Sequence, residues 1–270
     1  MIDFLGRFGQ WGMVAGAAEG IGAAFCEELA RKGMNLIMVD VKRDEMESLA
    51  EKIENQFQVQ TKRLVQDLSE KEAPGKCLEA MSGLDCRLLV YNAAYSRVKP
   101  FLSADPDELD LYINVNTRTP EHLVYHFATR LKQDRNPGGI LLMSSLAGLW
   151  GTRLVAAYSG TKAFNLLLAE ALSFELKPYG IAVSACCAGA TATPGYLGTN
   201  PASGLFGPKV MKPDRVAVIT IKNLGKKPII IPGFTNRFNY FLLTRLIPRS
   251  LSVKMVNKVM AGTYRNLNVF

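Results

Sequence analysis

Histidine and cysteine, the side chains that most often bind transition metals, are scarce in this chain of 270 residues. The only two histidines, His122 and His126, are four apart on a predicted helix; they could pair on a metal, but a surface or core position explains them more simply. The five cysteines form no Cys-x-x-Cys pair, and their odd number excludes a complete disulfide framework. We therefore predict no metal site and a reducing compartment.

Long apolar segments and dense basic blocks are also missing. No stretch approaches the roughly 20 apolar residues that span a bilayer, and residues 1–10 lack the basic start and apolar core of a signal peptide. We therefore expect a cytoplasmic protein. The net charge of +8 is not gathered into one Lys/Arg block, so nucleic acid is not a predicted partner.

Three glycines follow a short apolar segment near the start of the chain. Residues 11–15 have the pattern of a buried strand, and apolar residues recur with helical spacing over 21–31. Between them, Gly16 allows a tight turn, Gly20 lets the backbone approach a pyrophosphate, and Gly22 lets the helix lie close to the sheet. The pyrophosphate would lie at the positive end of the helix. Glycines that serve only as turn residues are the alternative.

An acidic residue ends the next predicted strand, residues 35–39. Asp40 lies about 20 residues beyond the glycines, where a carboxylate accepts hydrogen bonds from an adenosine ribose diol and repels a 2′-phosphate. Glu19, inside the glycine-rich turn, adds a second negative charge. Lys42 and Arg43 could turn back towards a 2′-phosphate, so the sequence favours NAD and leaves NADP open.

Predicted strands and helices alternate through the N-terminal half of the chain. This alternation predicts one large α/β domain with a doubly wound parallel sheet of about seven strands and helices on both faces. Ligands bind at the carboxyl ends of such strands, where Gly16, Asp40, Asp67 and Asn92 are expected. A long helix over residues 106–132 contains Asn116, which is not a preferred helix former and is either solvated or functional.

A serine, a tyrosine and a lysine follow the predicted fifth strand, residues 139–145. Ser145 ends that strand, and Tyr158 and Lys162 share one face of the next helix, residues 155–177, because they are four apart. A nearby ammonium group lowers the pKa of a tyrosine, and a serine hydroxyl could bind the substrate oxygen. The set suits proton transfer at a carbonyl or an alcohol. A helix that merely exposes a tyrosine and a lysine is the alternative.

These motifs together resemble those of the short-chain dehydrogenase/reductase family over residues 11–231. The family's glycine-rich motif, adenine-contacting aspartate, Asn-Ala-Gly motif and Pro-Gly motif have counterparts at residues 15–22, at Asp67, at residues 92–94, and at residues 188–189 with Thr193. Its four catalytic positions are matched in order by Asn116, Ser145, Tyr158 and Lys162. Ala15, Ala94 and Ala188 stand where the family usually has threonine, glycine and proline, which affects loop geometry more than chemistry.

The resemblance implies a Rossmann-like fold and hydride transfer between NAD(P)(H) and a carbonyl or secondary alcohol. It makes Tyr158 the general acid/base, with Lys162 lowering its pKa and binding the nicotinamide ribose, and it places the substrate oxygen on Ser145. Asn116 would order a water between Lys162 and solvent. The implied cofactor-binding residues are Gly16, Ala18, Glu19, Gly20, Ile21, Gly22, Asp40, Asp67, Leu68, Asn92, Ala93, Ala94, Tyr158, Lys162, Gly189, Thr191 and Thr193. A homodimer or homotetramer is the expected assembly.

The substrate pocket is expected after the fifth and sixth strands. Residues 193–213 are rich in glycine, proline and serine, and in this family the corresponding segment closes over the substrate. Trp150, Tyr196 and Phe206 are candidate substrate-binding residues beside Ser145, although simple packing under a loop explains the aromatic residues equally well.

The C-terminal segment, residues 234–270, alternates apolar and basic residues beyond a catalytic domain of residues 1–233. It predicts two amphipathic helices broken at Pro248, which could lie on anionic lipid, on the same domain or on a partner subunit. The tail and residues 57–61 resemble the branch that contains 17β-hydroxysteroid and 3-ketoacyl reductases, which implies a hydrophobic, lipid- or steroid-like substrate.

We therefore predict an NAD(P)-dependent oxidoreductase acting on a small-molecule carbonyl or alcohol. A non-catalytic NAD(P)-binding regulator or scaffold on the same fold is the alternative. The intact set of catalytic matches speaks against it, since a protein without turnover need not keep all four. A peripheral membrane protein held by its tail is compatible with the first function.

Overall fold

The computed structural model describes residues 4–202 and 209–265, and its centre is one parallel sheet. The seven strands are β1 (Trp11–Ala15), β2 (Asn35–Asp40), β3 (Thr61–Val65), β4 (Cys86–Tyr91), β5 (Gly138–Ser145), β6 (Ile181–Ala188) and β7 (Ile229–Ile230). Strands β1, β2, β4, β5 and β6 are almost continuously apolar and buried, as expected for parallel strands covered on both faces.

All pairs in the sheet are parallel, in the order β3-β2-β1-β4-β5-β6-β7. The order reverses between β1 and β4, and Gly16 and Asn92 directly follow these two neighbouring strands. A reversal of this kind opens a crevice at the carboxyl edge of the sheet. The predicted Rossmann-like, doubly wound sheet of about seven strands is confirmed.

The helices lie on both faces of the sheet and in the C-terminal tail. Within the described residues they are α1 (Phe4–Phe8), α2 (Gly20–Ala30), α3 (Arg43–Phe57), α4 (Ala73–Ala80), α5 (Pro106–Ile113), α6 (Thr119–Gln133), α7 (Ala156–Glu175), α8 (Pro194–Leu197), α9 (Pro213–Asn223), α10 (Phe234–Phe241) and α11 (Arg249–Thr263). The predicted long helix over 106–132 is interrupted by the π-helical turn Asn114–Arg118. Pro248 separates the two tail helices, as the sequence predicts.

Two apolar clusters form the core, one on each face of the sheet. Successive residues of a strand point to opposite faces. Accordingly, Val14 packs in the cluster that contains Phe25 of α2, whereas Met13 packs in the cluster that contains Phe127 of α6. The buried sheet is therefore held between two helical layers, and its carboxyl edge is fixed on both sides.

The five cysteines are free thiols buried in this core. Burial raises the pKa of Cys77, Cys86, Cys186 and Cys187 to about 12 and also raises that of Cys26. These thiols are therefore protonated packing residues near neutral pH. Across residues 4–202 and 209–265, no helix is both long enough and apolar enough to cross a bilayer.

Candidate active site

The glycine-rich turn is fixed by close backbone contacts that only glycine permits. Gly16 and Gly20 have φ angles of +78° and +61°, in the left-handed region that favours glycine. A Cβ on Gly22 would lie 1.8 Å from the Gly16 carbonyl oxygen, and one on Gly16 would lie 2.6 Å from the Ala93 backbone. The turn therefore lies flat against α2 and against the segment after β4.

The start of α2 suits a pyrophosphate. The helix begins at Gly20, and Glu19 precedes it without a side-chain capping bond. Backbone N–H groups of the first turn are therefore not engaged by a capping side chain, and the helix dipole places positive potential there. Ala18 is buried in the turn and Ile21 is half-buried against the core. These residues fit a dinucleotide phosphate.

The carboxylate of Asp40 organises the turn from the end of β2. Its two oxygens accept hydrogen bonds from the backbone N–H of Ala18 at 2.9 Å and of Lys42 at 3.1 Å. The Nζ of Lys42 lies 2.8 Å from a carboxylate oxygen of Glu19. Lys42 is thus directed to Glu19, the second acidic group that the sequence analysis placed on the ribose side.

The segment after β4 closes the opposite wall of the crevice. Asn92 donates from Nδ2 to the Gly16 carbonyl at 2.8 Å, and Ala93 contacts the same glycine, whereas Ala94 is exposed beside them. Asp67, which follows β3 at the same edge, is exposed, and its side chain accepts a hydrogen bond from the Ser69 N–H at 2.8 Å. The structure therefore brings the predicted cofactor-binding residues after β1 and β4 into direct contact.

Residues after β3 and β6 complete the same edge. The carbonyl of buried Leu68 accepts from Thr119 Oγ1 at 2.8 Å. Thr191 Oγ1 donates to the Gly189 carbonyl at 2.9 Å, and the Thr193 side chain faces Gly20, 2.9 Å from where a Cβ on that glycine would lie. The loop after β6 thus covers the start of α2.

Ser145, Tyr158 and Lys162 are brought together by β5 and α7. Ser145 ends β5 and its Oγ accepts from the Ala147 N–H at 3.1 Å. Lys162 is 2 % exposed, and its Nζ lies 5.5 Å from the centroid of the Tyr158 ring. The same Nζ donates to the Met143 carbonyl at 2.8 Å. The predicted clustering of these three side chains agrees with the geometry.

The pKa of Tyr158 is shifted opposite to the direction predicted from the sequence. Burial raises it, and a hydrogen bond with Ser145 opposes that rise. Burial lowers the pKa of Lys162 to about 8, and the neighbouring Cys186 and Cys187 thiols favour its charged form. Removal from water dominates the shift of the Tyr158 pKa in this geometry, in which the Lys162 ammonium group is bound to the Met143 carbonyl. The lowering of the Tyr158 pKa by Lys162 stays a prediction.

Asn116 lies in the π-helical turn and is fully buried. Its Oδ1 accepts from the Tyr95 N–H at 2.7 Å, and its Nδ2 donates to the Tyr95 carbonyl at 2.9 Å and to Thr161 Oγ1 at 3.0 Å. Asn116 therefore ties the segment after β4 to α7. Its predicted role in ordering a water near Lys162 stays a prediction.

Asn165 is a site residue that the sequence analysis missed. Its Nδ2 donates to the backbone carbonyl of Asn116 at 2.9 Å, and the side chain is 1 % exposed. Its Oδ1 has no hydrogen-bond partner among the described residues. The available signal was an asparagine three residues after Lys162 and four after Thr161, on the buried face of the helix that both share.

Two of the three aromatic candidates for substrate binding lie among the described residues. Trp150 is 6 % exposed, so little of its side chain is free to contact a ligand. Tyr196 is half-buried beside the end of β6, its N–H donates to Thr193 Oγ1 at 3.1 Å, and burial raises its pKa. Phe206 lies outside the described residues. Substrate contact by all three stays a prediction.

The C-terminal tail packs on the loops that follow β5 and β6. Asn257 accepts from the Arg153 N–H at 2.8 Å and donates to the Gly151 carbonyl at 2.9 Å. The Thr263 carbonyl accepts from the Ala202 N–H at 2.8 Å. The sequence left three partners open for the tail: anionic lipid, the same domain and a partner subunit. The structure contains contacts between the tail and the same domain.

Comparison with known proteins gives consistent matches. The short chain dehydrogenase family model matches residues 10–201. A 7β-hydroxysteroid dehydrogenase of Clostridium sardiniense is 31% identical over 236 residues, which cover 87% of this chain and 90% of that protein. A very-long-chain 3-oxoacyl-CoA reductase of Bos taurus is 28% identical over 249 residues, which cover 90% and 76% respectively.

Solved structures agree with the sequence comparisons. A 7β-hydroxysteroid dehydrogenase structure matches with a TM-score of 0.86 at 25% identity, covering 94% of this chain and 99% of that one. A short-chain dehydrogenase from Sphingobium yanoikuyae in complex with NADPH matches with a TM-score of 0.76 at 25% identity, covering 86% and 91%. The chain therefore belongs to the short chain dehydrogenase family and is an oxidoreductase.

Proposed function

We propose that the protein interconverts a carbonyl and a secondary alcohol on a hydrophobic, steroid- or lipid-like substrate with NAD(P)(H). The observation that carries this proposal is the grouping of Ser145, Tyr158 and Lys162 at the carboxyl edge of the sheet, beside a glycine turn suited to a dinucleotide. The relatives named for 7β-hydroxysteroids and very-long-chain 3-oxoacyl-CoA support the substrate class.

Cofactor binding, substrate binding and proton transfer would fall to different residues of the site. The start of α2 holds the pyrophosphate, Asp40 faces the adenosine ribose, and the bound dinucleotide supplies or accepts the hydride. Ser145 holds the substrate oxygen and Tyr158 donates a proton to it. Because burial raises the pKa of Tyr158, the phenol is protonated near neutral pH, which is the form that reduction requires.

Lys162 assists this proton transfer electrostatically. Its Nζ lies 5.5 Å from the Tyr158 ring centroid, so its positive charge favours the phenolate that remains after Tyr158 has donated its proton. A reorientation of this ammonium group from the Met143 carbonyl towards the nicotinamide ribose would serve cofactor binding. Asn116 would then complete the set by holding the segment after β4 against α7.

We propose NAD as the preferred cofactor over NADP. Asp40 and Glu19 are both acidic on the ribose side, and Lys42 is paired with Glu19, which disfavours a 2′-phosphate. Several solved relatives bind NADP or NADPH, so ketone and alcohol panels with both cofactors in parallel decide the matter. A clear preference for NADPH would overturn this assignment.

Removal of the Tyr158 hydroxyl tests the proposed reaction. Tyr158→Phe should lower turnover by roughly 10²- to 10⁴-fold because the general acid/base is lost, while cofactor affinity measured by fluorescence titration stays unchanged. Tyr179→Phe removes the same atom from an exposed tyrosine that follows α7 and should leave turnover unchanged. Equal turnover in the Tyr158→Phe variant would contradict the proposal. Cofactor binding without turnover by the wild type would favour a non-catalytic regulator or scaffold.

We further propose a homodimer or homotetramer that works in the cytoplasm. Tyr125 on α6 and Leu167 and Phe174 on α7 are exposed hydrophobic residues on two helices that pack on the same face of the sheet, which supports a self-complementary interface. Five buried free thiols are compatible with a reducing compartment. Light scattering of the wild type measures the assembly, and a monomer at all concentrations would contradict it.

A further inference from the structure

All of the excess positive charge of this protein lies at its C-terminal end. Residues 215–270 contain ten Lys/Arg and no Asp/Glu, whereas residues 1–214 contain 22 basic and 24 acidic residues. The positive end includes both tail helices, α10 and α11. A chain segment without one acidic residue repels itself and attracts anionic surfaces.

The inner face of the tail is already occupied. Ser252 is fully buried and its Oγ donates to the Leu243 carbonyl at 2.7 Å. Asn257 binds the loop after β5, and the Tyr264 hydroxyl lies 2.9 Å from Thr199 Oγ1. These contacts fix the side of the tail that faces the domain, and therefore which side chains are left outside.

The outer face of α11 combines apolar and basic columns. Leu251, Met255 and Val259 are spaced by four and are 41–48 % exposed. Lys254 and Lys258 form a neighbouring exposed column, because they lie three residues after Leu251 and Met255 respectively. This is the side-chain pattern of helices that lie in a membrane interface.

The outer face of α10 has the same character with larger side chains. Phe234, Phe238 and Phe241 recur at helical spacing and are 76 %, 55 % and 53 % exposed. Arg237 and Arg245 are exposed on the same stretch of chain. The exposed surface of a phenylalanine side chain costs free energy in water, and insertion beside lipid headgroups removes that cost.

We propose that the outer face of α10 and α11 is a peripheral docking surface for a bilayer that contains anionic lipid. The phenylalanines and the Leu251–Met255–Val259 column would enter the headgroup boundary, and the basic side chains would contact lipid phosphates. A second copy of the chain is disfavoured as the partner, because two-fold pairing of this face would bring Lys254 and Lys258 of both copies together. The surface is separate from the proposed catalytic residues.

Vesicle flotation of the full-length protein tests this surface without any need for turnover. Wild type should float with vesicles of phosphatidylcholine and phosphatidylglycerol at low salt, much less at high salt, and not with phosphatidylcholine alone. The double variant Lys254→Ala/Lys258→Ala should bind about 25-fold more weakly, since each basic residue near an anionic surface contributes roughly fivefold. Phe238→Ala/Met255→Ala should also weaken binding.

A matched control removes two exposed lysines from the body of the domain. Lys71→Ala/Lys177→Ala changes the net charge equally and should bind vesicles like wild type, and all variants should keep their melting temperature. Absence of wild-type flotation, or equal weakening in the control pair, would overturn the proposal. So would tail-dependent dimerisation in light scattering, or binding to polyglutamate as tight as to vesicles, which would assign the face to a second copy or to an acidic protein.

Discussion

At the scale of single residues, Asn165 joins the two helices that carry the proposed catalytic groups. Its Nδ2 must face the Asn116 carbonyl, because a carbonyl accepts and only the amide nitrogen can donate. Both residues are almost fully buried, so water cannot replace this hydrogen bond readily. Asn165 therefore fixes the π-helical turn against α7, one turn from Lys162.

Replacement of Asn165 tests this connection. Asn165→Leu leaves the buried Asn116 carbonyl without its donor and should lower the free energy of unfolding by about 1–3 kcal/mol. Asn165→Asp should cost more, because it also places a carboxylate against the carbonyl oxygen. Urea unfolding measures both. Glu175→Gln, at an exposed position on the same helix, should change stability by less than about 0.5 kcal/mol; a similar loss there would contradict the assignment.

Lys162 gives the stability of the protein a specific dependence on pH. Burial lowers its pKa from 10.5 to about 8, so between these values the unfolded chain binds more protons than the folded one. Stability contributed at this site therefore rises with pH across that interval. From about pH 7 to about pH 9, the free energy of unfolding of the wild type should rise by about 1 kcal/mol relative to that of Lys162→Met.

Paired urea titrations at several pH values measure that difference for Lys162. The thiols and other groups titrate in wild type and variant alike, so subtraction removes most of their contribution. Lys177→Met, at an exposed lysine, should show no such trend. A difference that stays constant or falls as the pH rises would rule out a buried lysine with a lowered pKa.

At the scale of elements, the local sequence was sufficient to predict an element wherever residues close together along the chain determine its structure. The strand, glycine turn and helix over residues 11–30 depend on backbone freedom at Gly16 and Gly20, and the break between the tail helices depends on Pro248. The π-helical turn was not predictable, because its released carbonyls find distant donors. Tyr91 donates to the Val115 carbonyl at 2.7 Å and Asn165 donates to that of Asn116.

The glycine turn predicts a sharp contrast between two alanine substitutions. Gly22→Ala places a methyl group 1.8 Å from the Gly16 carbonyl oxygen, so the turn must move and cofactor affinity should fall by at least about tenfold. Gly75→Ala, in α4 with nothing within 4 Å, should instead stabilise the protein by about 0.5–1 kcal/mol. Calorimetric titration with NAD and NADP and thermal unfolding check the two effects. Unchanged affinity in Gly22→Ala would contradict the proposed phosphate site.

At the scale of the whole molecule, the arrangement of the proposed cofactor edge was predictable from the sequence, and that of the proposed substrate side was not. Parallel strands bring their carboxyl ends to one edge, so Gly16, Asp40 and Ser145 could be placed together from the order of elements. The proposed substrate side consists of the loops after β5 and β6 and of the tail. Their arrangement depends on hydrogen bonds such as that of Asn257 with Gly151, more than 100 residues away along the chain.

Substitution of Asn257 tests whether its hydrogen bonds stabilise the packing of the tail on the domain. Asn257→Ala removes the bonds to the Arg153 N–H and the Gly151 carbonyl, and it should lower the free energy of unfolding by about 1–2 kcal/mol. The fluorescence of Trp150, in the contacted loop, should change as well. Asn239→Ala, at an exposed position on α10, is the matched control. Equal effects of the two variants would show that the tail is not clamped at this point.

The buried thiols have a practical consequence for labelling. None of Cys26, Cys77, Cys86, Cys186 and Cys187 presents an accessible thiolate at neutral pH. A cysteine introduced at an exposed position, such as Val259→Cys on the outer face of α11, would therefore react with maleimide dyes far faster than any native thiol. Site-selective fluorophores and spin labels could be attached without first removing the native cysteines.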